Sequence, residues 1–179
     1  MDKIITFSEY SKRAAETQME SCKNEDYLRL GLISEVGELC AIFKRSIRGD
    51  FNLENKRQDI LLELGDICWY LDRYEAMVAT TFGWRRVWGL PLNIGTWIEW
   101  TYELSSEASL LRGPSAYCWN CVTIIAYHFN FTIWDVLTAN VEKLSKRKER
   151  GLIQGSGDHR GERPKEPDAP FCGCDPDEA

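Results

Sequence analysis

The sequence predicts an all-α fold, and three observations carry that expectation. Apolar residues recur three and four positions apart through several long segments, the period of one helix face. No segment shows the alternating apolar and polar pattern that a half-buried strand requires. Two segments begin with the form of a capping box, Thr6-Phe7-Ser8-Glu9 and, with Asp in place of Glu, Thr132-Ile133-Trp134-Asp135. There a hydroxyl and an acid satisfy the backbone N–H groups that a helix start leaves bare.

The first helix follows Thr6, with Phe7, Tyr10 and Ala14 on one stripe, and is expected to run to about residue 20. A second opens near Asn24 and buries Leu28, Leu32, Leu39, Ile42 and Phe43. It ends in Lys44-Arg45-Ser46-Ile47-Arg48 before Gly49, where cations complement the negative end of the helix dipole. The third begins near Leu53, carries Ile60, Leu61, Leu64, Ile67, Trp69 and Leu71, and stops before Gly83. The link between the second and third is short, so the two should pack as an antiparallel hairpin. A turn-rich stretch at 84–91 precedes two more helices at 96–111 and 115–129, divided by Gly113-Pro114. Trp97, Trp100, Leu104, Ala108 and Leu111 form the stripe of the first of these. The last helix, 132–150, turns Val136, Val141 and Leu144 inward, and the apolar period ends at Gly151.

At 179 residues with 44% hydrophobic content, the chain has enough apolar material for one domain with a sizeable core. That domain is expected at 1–160, followed by a flexible tail at 161–179. A net charge of -6 argues against a general nucleic-acid binder, because phosphate backbones are held mainly by Lys and Arg. A nucleotide-sized anion needs only a local basic cluster. No window reaches the roughly 18 apolar residues of a membrane span, so a soluble, cytoplasmic protein is expected. The seven cysteines are an odd number, and Cys40 and Cys68 lie within apolar helices, where a reduced thiol behaves as a small hydrophobe.

The segments Glu35-Val-Gly-Glu38 and Glu63-Leu-Gly-Asp66 carry the chemistry. Each places two carboxylates three residues apart, about one turn along the same side of a helix. Both helices are apolar enough to be largely buried, and a carboxylate beside a buried stripe loses hydration unless a cation or a donor compensates it. Four such acids on consecutive helices make a hard divalent metal the economical explanation, since Mg2+ takes oxygen ligands.

The string Gly31-Leu-Ile-Ser-Glu35-Val-Gly-Glu38-Leu followed by Glu63-Leu-Gly-Asp66-Ile-Cys-Trp-Tyr resembles the MazG-like all-α nucleoside triphosphate pyrophosphohydrolases, whose signature is Glu-x-x-Glu, a spacer, then Glu-x-x-Asp. Asn140-Val-Glu-Lys143-Leu-Ser-Lys-Arg147-Lys-Glu-Arg-Gly151, with Gly155-Ser-Gly-Asp158-His-Arg160, is similar to the end of the small phage and bacterial members. The likeness covers about residues 6–72 and 131–160. It implies a helical bundle that hydrolyses an NTP or dNTP to the monophosphate and pyrophosphate. By position, Glu35, Glu38, Glu63 and Asp66 would bind Mg2+, or Mn2+ in its place, and form the catalytic set. Lys44, Asn140, Lys143 and Arg147 would meet the phosphates, and Arg160 is a further candidate.

The chain departs from the small members between Trp84 and Phe131, where about forty residues are extra. Residues 102–111 faintly echo the first acidic helix, and 117–121 faintly echo 65–69, without the acid pattern. This insert is expected to be a helical hairpin covering the face that another subunit covers in family dimers, which leaves a homo-oligomer and a self-covered monomer as alternatives. Rival chemistries are weaker. A di-iron bundle wants Glu-x-x-His pairs, and His128 and His159 are not so spaced. Cys118, Cys121, Cys172 and Cys174 match no common zinc module. Trp69, Trp84, Trp97 and Trp119 are candidates for stacking on a base, but at helical spacing they read first as core. The functional alternatives are a narrower dUTP or dCTP type of pyrophosphatase, a hydrolase of a modified or signalling nucleotide, and a non-catalytic nucleotide-sensing or interaction protein.

Overall fold

The computed structural model describes residues 6–78, 96–110 and 116–152. Within them lie α1 (Phe7–Ala15), α2 (Glu25–Ile47), α3 (Arg57–Met77), α4 (Trp97–Leu110), α5 (Ala116–His128) and α6 (Ile133–Glu149), and no strand. Two 3-10 turns, Glu20–Cys22 and Leu53–Lys56, precede α2 and α3. The expected all-α fold is what forms. The expected tail at 161–179, with Cys172 and Cys174, lies outside the described residues, as do Asp158, His159, Arg160, Trp84 and Leu111.

Helix starts follow local chemistry. The Thr6 hydroxyl accepts from Glu9 N at 3.1 Å, and Asn24 Oδ1 accepts from Tyr27 N at 3.0 Å. Thr132 and Asp135 form a complete capping box, Asp135 N to Thr132 Oγ1 at 3.2 Å and Thr132 N to Asp135 Oδ2 at 2.8 Å. Three helices stop in the same way. After α2, Gly49 takes φ +92°, its N–H reaches Ser46 O at 2.9 Å and Asp50 N reaches Arg45 O at 3.0 Å. Asn130 after α5 and Gly151 after α6 repeat this left-handed termination, which satisfies carbonyls that a helix end would otherwise strand.

Two boundaries differ from expectation. The first helix ends at Ala15 rather than near residue 20, because the Thr17 hydroxyl takes Ala14 O at 2.8 Å and the chain then turns into the Glu20–Cys22 segment. The third helix begins at Arg57, since Asn52 Oδ1 caps a separate 3-10 turn by accepting from Glu54 N at 2.9 Å.

α2 and α3 pack as the predicted hairpin, and α4 and α5 form a second one. α4 lies on α2 and α5 on α3, while α1 and α6 also pack on α3. α3 is therefore the central helix. Its Ile60, Leu64, Ile67 and Leu71 have no exposed surface and meet Leu28, Leu32 and Leu39 of α2 and Trp119, Val122 and Ile125 of α5 in one core. Each such aliphatic side chain contributes about 1.5–3 kcal/mol on full burial. Buried polar links fix the layers. Arg73 pairs with Asp72 and donates to Ser11 O at 2.9 Å and Ser11 Oγ at 2.8 Å, tying α1 to α3. Arg57 donates to Phe129 O at 2.6 Å and so ties the start of α3 to the turn before α6.

Glycines set two of the closest approaches. A Cβ on Gly31 would fall inside the ring of Tyr70, and one on Gly65 would come 2.9 Å from Asn140 Cβ. The glycine of Glu63-Leu-Gly-Asp66 thus lets α6 approach α3 beside the acids.

Candidate metal-binding cleft

Glu35 comes from α2, and Glu63 and Asp66 from α3. One oxygen of each lies within 4.8 Å of the others, which makes these three the acid cluster among the described residues. Glu63 is 7% exposed, and Glu35 and Asp66 are half-buried. Taking three carboxylates out of water this close together carries a repulsive and a desolvation cost that a cation offsets. The donors are all oxygen and come from two rigid helices, which suits Mg2+ or Mn2+ and not a thiolate-seeking metal.

Glu38 stands apart. It is exposed and outside the cluster, although it lies three residues from Glu35. Residues three apart on a helix are offset by about 60° around the axis, and on α2 that offset carries Glu38 from the edge of the α3 contact into solvent. On α3, enclosed on most sides, the same offset leaves both Glu63 and Asp66 facing packed neighbours.

α6 supplies the basic side. Lys143 Nζ pairs with Asp66 Oδ2, both side chains being almost buried, and Arg147, one turn further on, lines a cleft with Glu35 and Asp66. Asn140, expected by position to meet the phosphates, is fully buried, and its Nδ2 donates to Asp66 Oδ1 at 2.9 Å, with Tyr10 O–H donating to its Oδ1 at 3.0 Å. The close packing at Gly65 seats it there.

Lys44, also expected at the phosphates, is exposed and lines a different groove, of about 370 Å3, with Trp97, Ile98 and Tyr102. Nine residues separate it from Glu35, which is two and a half turns, so the two side chains leave α2 on opposite sides. The spacing itself carried that information.

Glu35 and Asp66 open onto a cleft of about 90 Å3 whose other wall is aromatic: Tyr27, Trp69 and Tyr70. Trp69 and Tyr70 meet edge to face, centroids 5.0 Å apart, and Tyr27 and Tyr70 are 6.2 Å apart. Trp69 is anchored through Nε1 to Thr17 Oγ1 at 3.0 Å. Burial first, then its hydrogen bond with Tyr27 and the charges of Glu35 and Asp66, push the Tyr70 phenol far above its usual value. Burial, then the charges of Asp72 and Asp66, likewise raises the Cys68 thiol. Tyr70 was not singled out from the sequence, although it follows Asp66 by four residues and so shares its helix face. Tyr27 carries no such signal.

Cys118 and Cys121 sit buried on α5, and burial chiefly pushes the Cys118 thiol up to about 12; Cys172 and Cys174, the other half of the zinc set, lie outside the described residues. Trp119 is wholly buried and donates to Glu75 Oε1 at 3.1 Å, and Trp97 packs on Phe43, so neither faces the cleft. Among the described residues no helix is long and apolar enough to cross a membrane.

No protein-family model matches the chain, and no solved structure matches it. It is 26% identical over 144 residues to the "Gene 37 protein" of Mycobacterium phage L5, a span covering 79% of this chain and 81% of that protein. The relationship connects the chain to a phage protein of similar extent.

Proposed function

We propose that the protein is a divalent-metal-dependent nucleoside triphosphate pyrophosphohydrolase of MazG-like type, converting an NTP or dNTP to the monophosphate and pyrophosphate in the cytoplasm of a bacterial cell or a phage-infected host. The observation that carries this reading is the convergence of Glu35, Glu63 and Asp66, drawn from both acidic motifs, with Lys143 paired to Asp66 and Arg147 lining the cleft onto which Glu35 and Asp66 open.

Mg2+ or Mn2+, when bound by Glu35, Glu63 and Asp66, supplies charge neutralisation and orientation of triphosphate oxygens. Lys143 and Arg147, four residues apart on one face of α6, offer charge-assisted hydrogen bonds to the same phosphates. The aromatic wall offers flat apolar surface to a base. In the reaction a water oxygen bonds to the α-phosphorus, the bond from that phosphorus to the bridging oxygen breaks, pyrophosphate leaves with the electron pair, and the water's proton passes to solvent. Catalysis of this kind is chiefly positioning and charge stabilisation.

A second reading is a nucleotide-sensing protein without turnover. It is favoured by Glu38 standing in solvent and by Lys143 holding Asp66. The test is pyrophosphate release from all eight NTPs and dNTPs, with Mg2+, with Mn2+ and with EDTA. Metal-dependent release from one or several supports hydrolysis and shows whether the enzyme is broad or of the narrower dUTP or dCTP type. Nucleotide binding without release supports the sensor, and neither binding nor release of any of the eight removes both.

A further inference from the structure

We propose that Tyr10 of α1 is a positioning residue for the acid cluster, acting through Asn140 to fix the carboxylate of Asp66. The inference rests on the metal-site reading above and extends the site to a helix that carries none of its ligands.

Tyr10 and Asn140 both have no exposed surface. Tyr10 O–H donates to Asn140 Oδ1 at 3.0 Å, and Asn140 Nδ2 donates to Asp66 Oδ1 at 2.9 Å. The order of donors follows from the chemistry. An ionised Asp66 only accepts, so the amide must turn its NH2 toward it, and the carbonyl oxygen left behind needs a donor. The phenol is that donor. Were the amide to flip, its oxygen would face the carboxylate and two acceptors would abut in a buried site.

Asp66 is therefore held on two sides, by Asn140 at Oδ1 and by Lys143 at Oδ2. The two holds differ in kind. Lys143 has a long side chain and some exposure, whereas Asn140 is enclosed, with its Cβ against the Gly65 backbone position. A cation taken up by the cluster can displace the lysine but not the amide. The neighbouring Ser11, held by Arg73, keeps α1 from sliding and so keeps Tyr10 in place.

The experiment measures Mn2+ binding to the full chain, without nucleotide, from the paramagnetic resonance of free Mn2+. Tyr10→Phe removes only the hydroxyl. Tyr74→Phe is the control, removing another phenol hydroxyl from a buried ring on α3 about two turns from Asp66. Tyr10→Phe should weaken Mn2+ binding about tenfold, the usual scale for loss of a group that orients a ligand, while Tyr74→Phe leaves it unchanged. Equal affinity in wild type and Tyr10→Phe, or equal weakening in both variants, would overturn the proposal while leaving the metal site standing. Failure of the wild-type protein to bind Mn2+ would remove both. Should Tyr10→Phe not fold, 3-fluorotyrosine in the wild-type protein gives the answer. The Tyr10 fluorine resonance should shift with added Mg2+ and that of Tyr74 should not, and a stationary Tyr10 resonance would overturn the assignment.

Discussion

The α2–α3 and α4–α5 hairpins are built on the same apolar plan and end in different chemistry. Each has a buried inner face, Leu32, Leu39, Leu64 and Ile67 in one, Leu104, Ala108, Val122 and Ile125 in the other, and each packs along the other's length. Both carry acids on the earlier helix. In α2, Glu35 meets Glu63 and Asp66 across the hairpin. In α4, exposed Glu103 accepts from Tyr117 O–H at 3.3 Å, and the helix opposite offers Asn120 and Cys121, not a second acidic pair. Apolar spacing is thus enough to make a helical hairpin, whereas a cation site needs acids on both helices at facing positions. The α4–α5 hairpin packs on the other through α4 against α2 and α5 against α3.

The sharpest way to break the comparison is to remove an acid from each hairpin. Asp66→Ala should lower metal-dependent pyrophosphate release by on the order of a thousandfold or more with helical circular dichroism retained, while Glu103→Ala should stay within about twofold of wild type. Glu38→Ala should fall between them, because Glu38 lies outside the cluster.

Glycines give a second contrast. Gly65→Val forces atoms into Asn140 and should cost about 1–3 kcal/mol in denaturant unfolding as well as weakening Mn2+ binding. A Cβ on Gly37 meets nothing within 4 Å, so Gly37→Ala should stabilise α2 by about 0.5–1 kcal/mol.

Lys143→Met sharpens the account of the cleft. It should raise the KM for nucleotide on the order of tenfold by removing a phosphate contact, and should tighten Mn2+ binding in the absence of nucleotide by freeing Asp66 of its ion pair. Titration calorimetry with each partner reads both arms.

The smallest effect lies at the exposed end of α2. Arg48, whose Nε donates to Asp50 Oδ1 at 2.8 Å, holds the Asp50 carboxyl below its ordinary value. A lowered folded-state pKa contributes stability above the unfolded pKa of about 4 and loses it as pH falls through the lower folded value. Asp50→Asn should therefore lower Tm slightly at pH 7 and not at pH 2, a difference kept small by solvent screening.

Much of this was legible in the sequence because it is periodic or local. The capping box at Thr132, the stop at Gly49 and the stripe of Leu28, Leu32 and Leu39 depend on neighbours within a turn or two. The two acidic motifs were legible for the same reason. What escaped was set by rotation about a helix axis and by packing across the fold. Glu38 and Lys44 lie at angles that carry them away from Glu35, and Asn140 is drawn inward by a glycine more than seventy residues away in the chain. Tyr10 read as one more apolar position in the stripe of α1, since a phenol that packs and a phenol that orients an amide leave the same mark in the spacing.

The most direct test compares wild type with Glu63→Gln, which replaces the most buried acid of the cluster by an amide of the same shape. With Mg2+ and the preferred triphosphate, wild type should yield monophosphate and pyrophosphate in equal amounts, and Glu63→Gln, folded and monitored in parallel, should yield neither. Equal release by the two proteins would contradict the assignment of the cleft as the catalytic metal site.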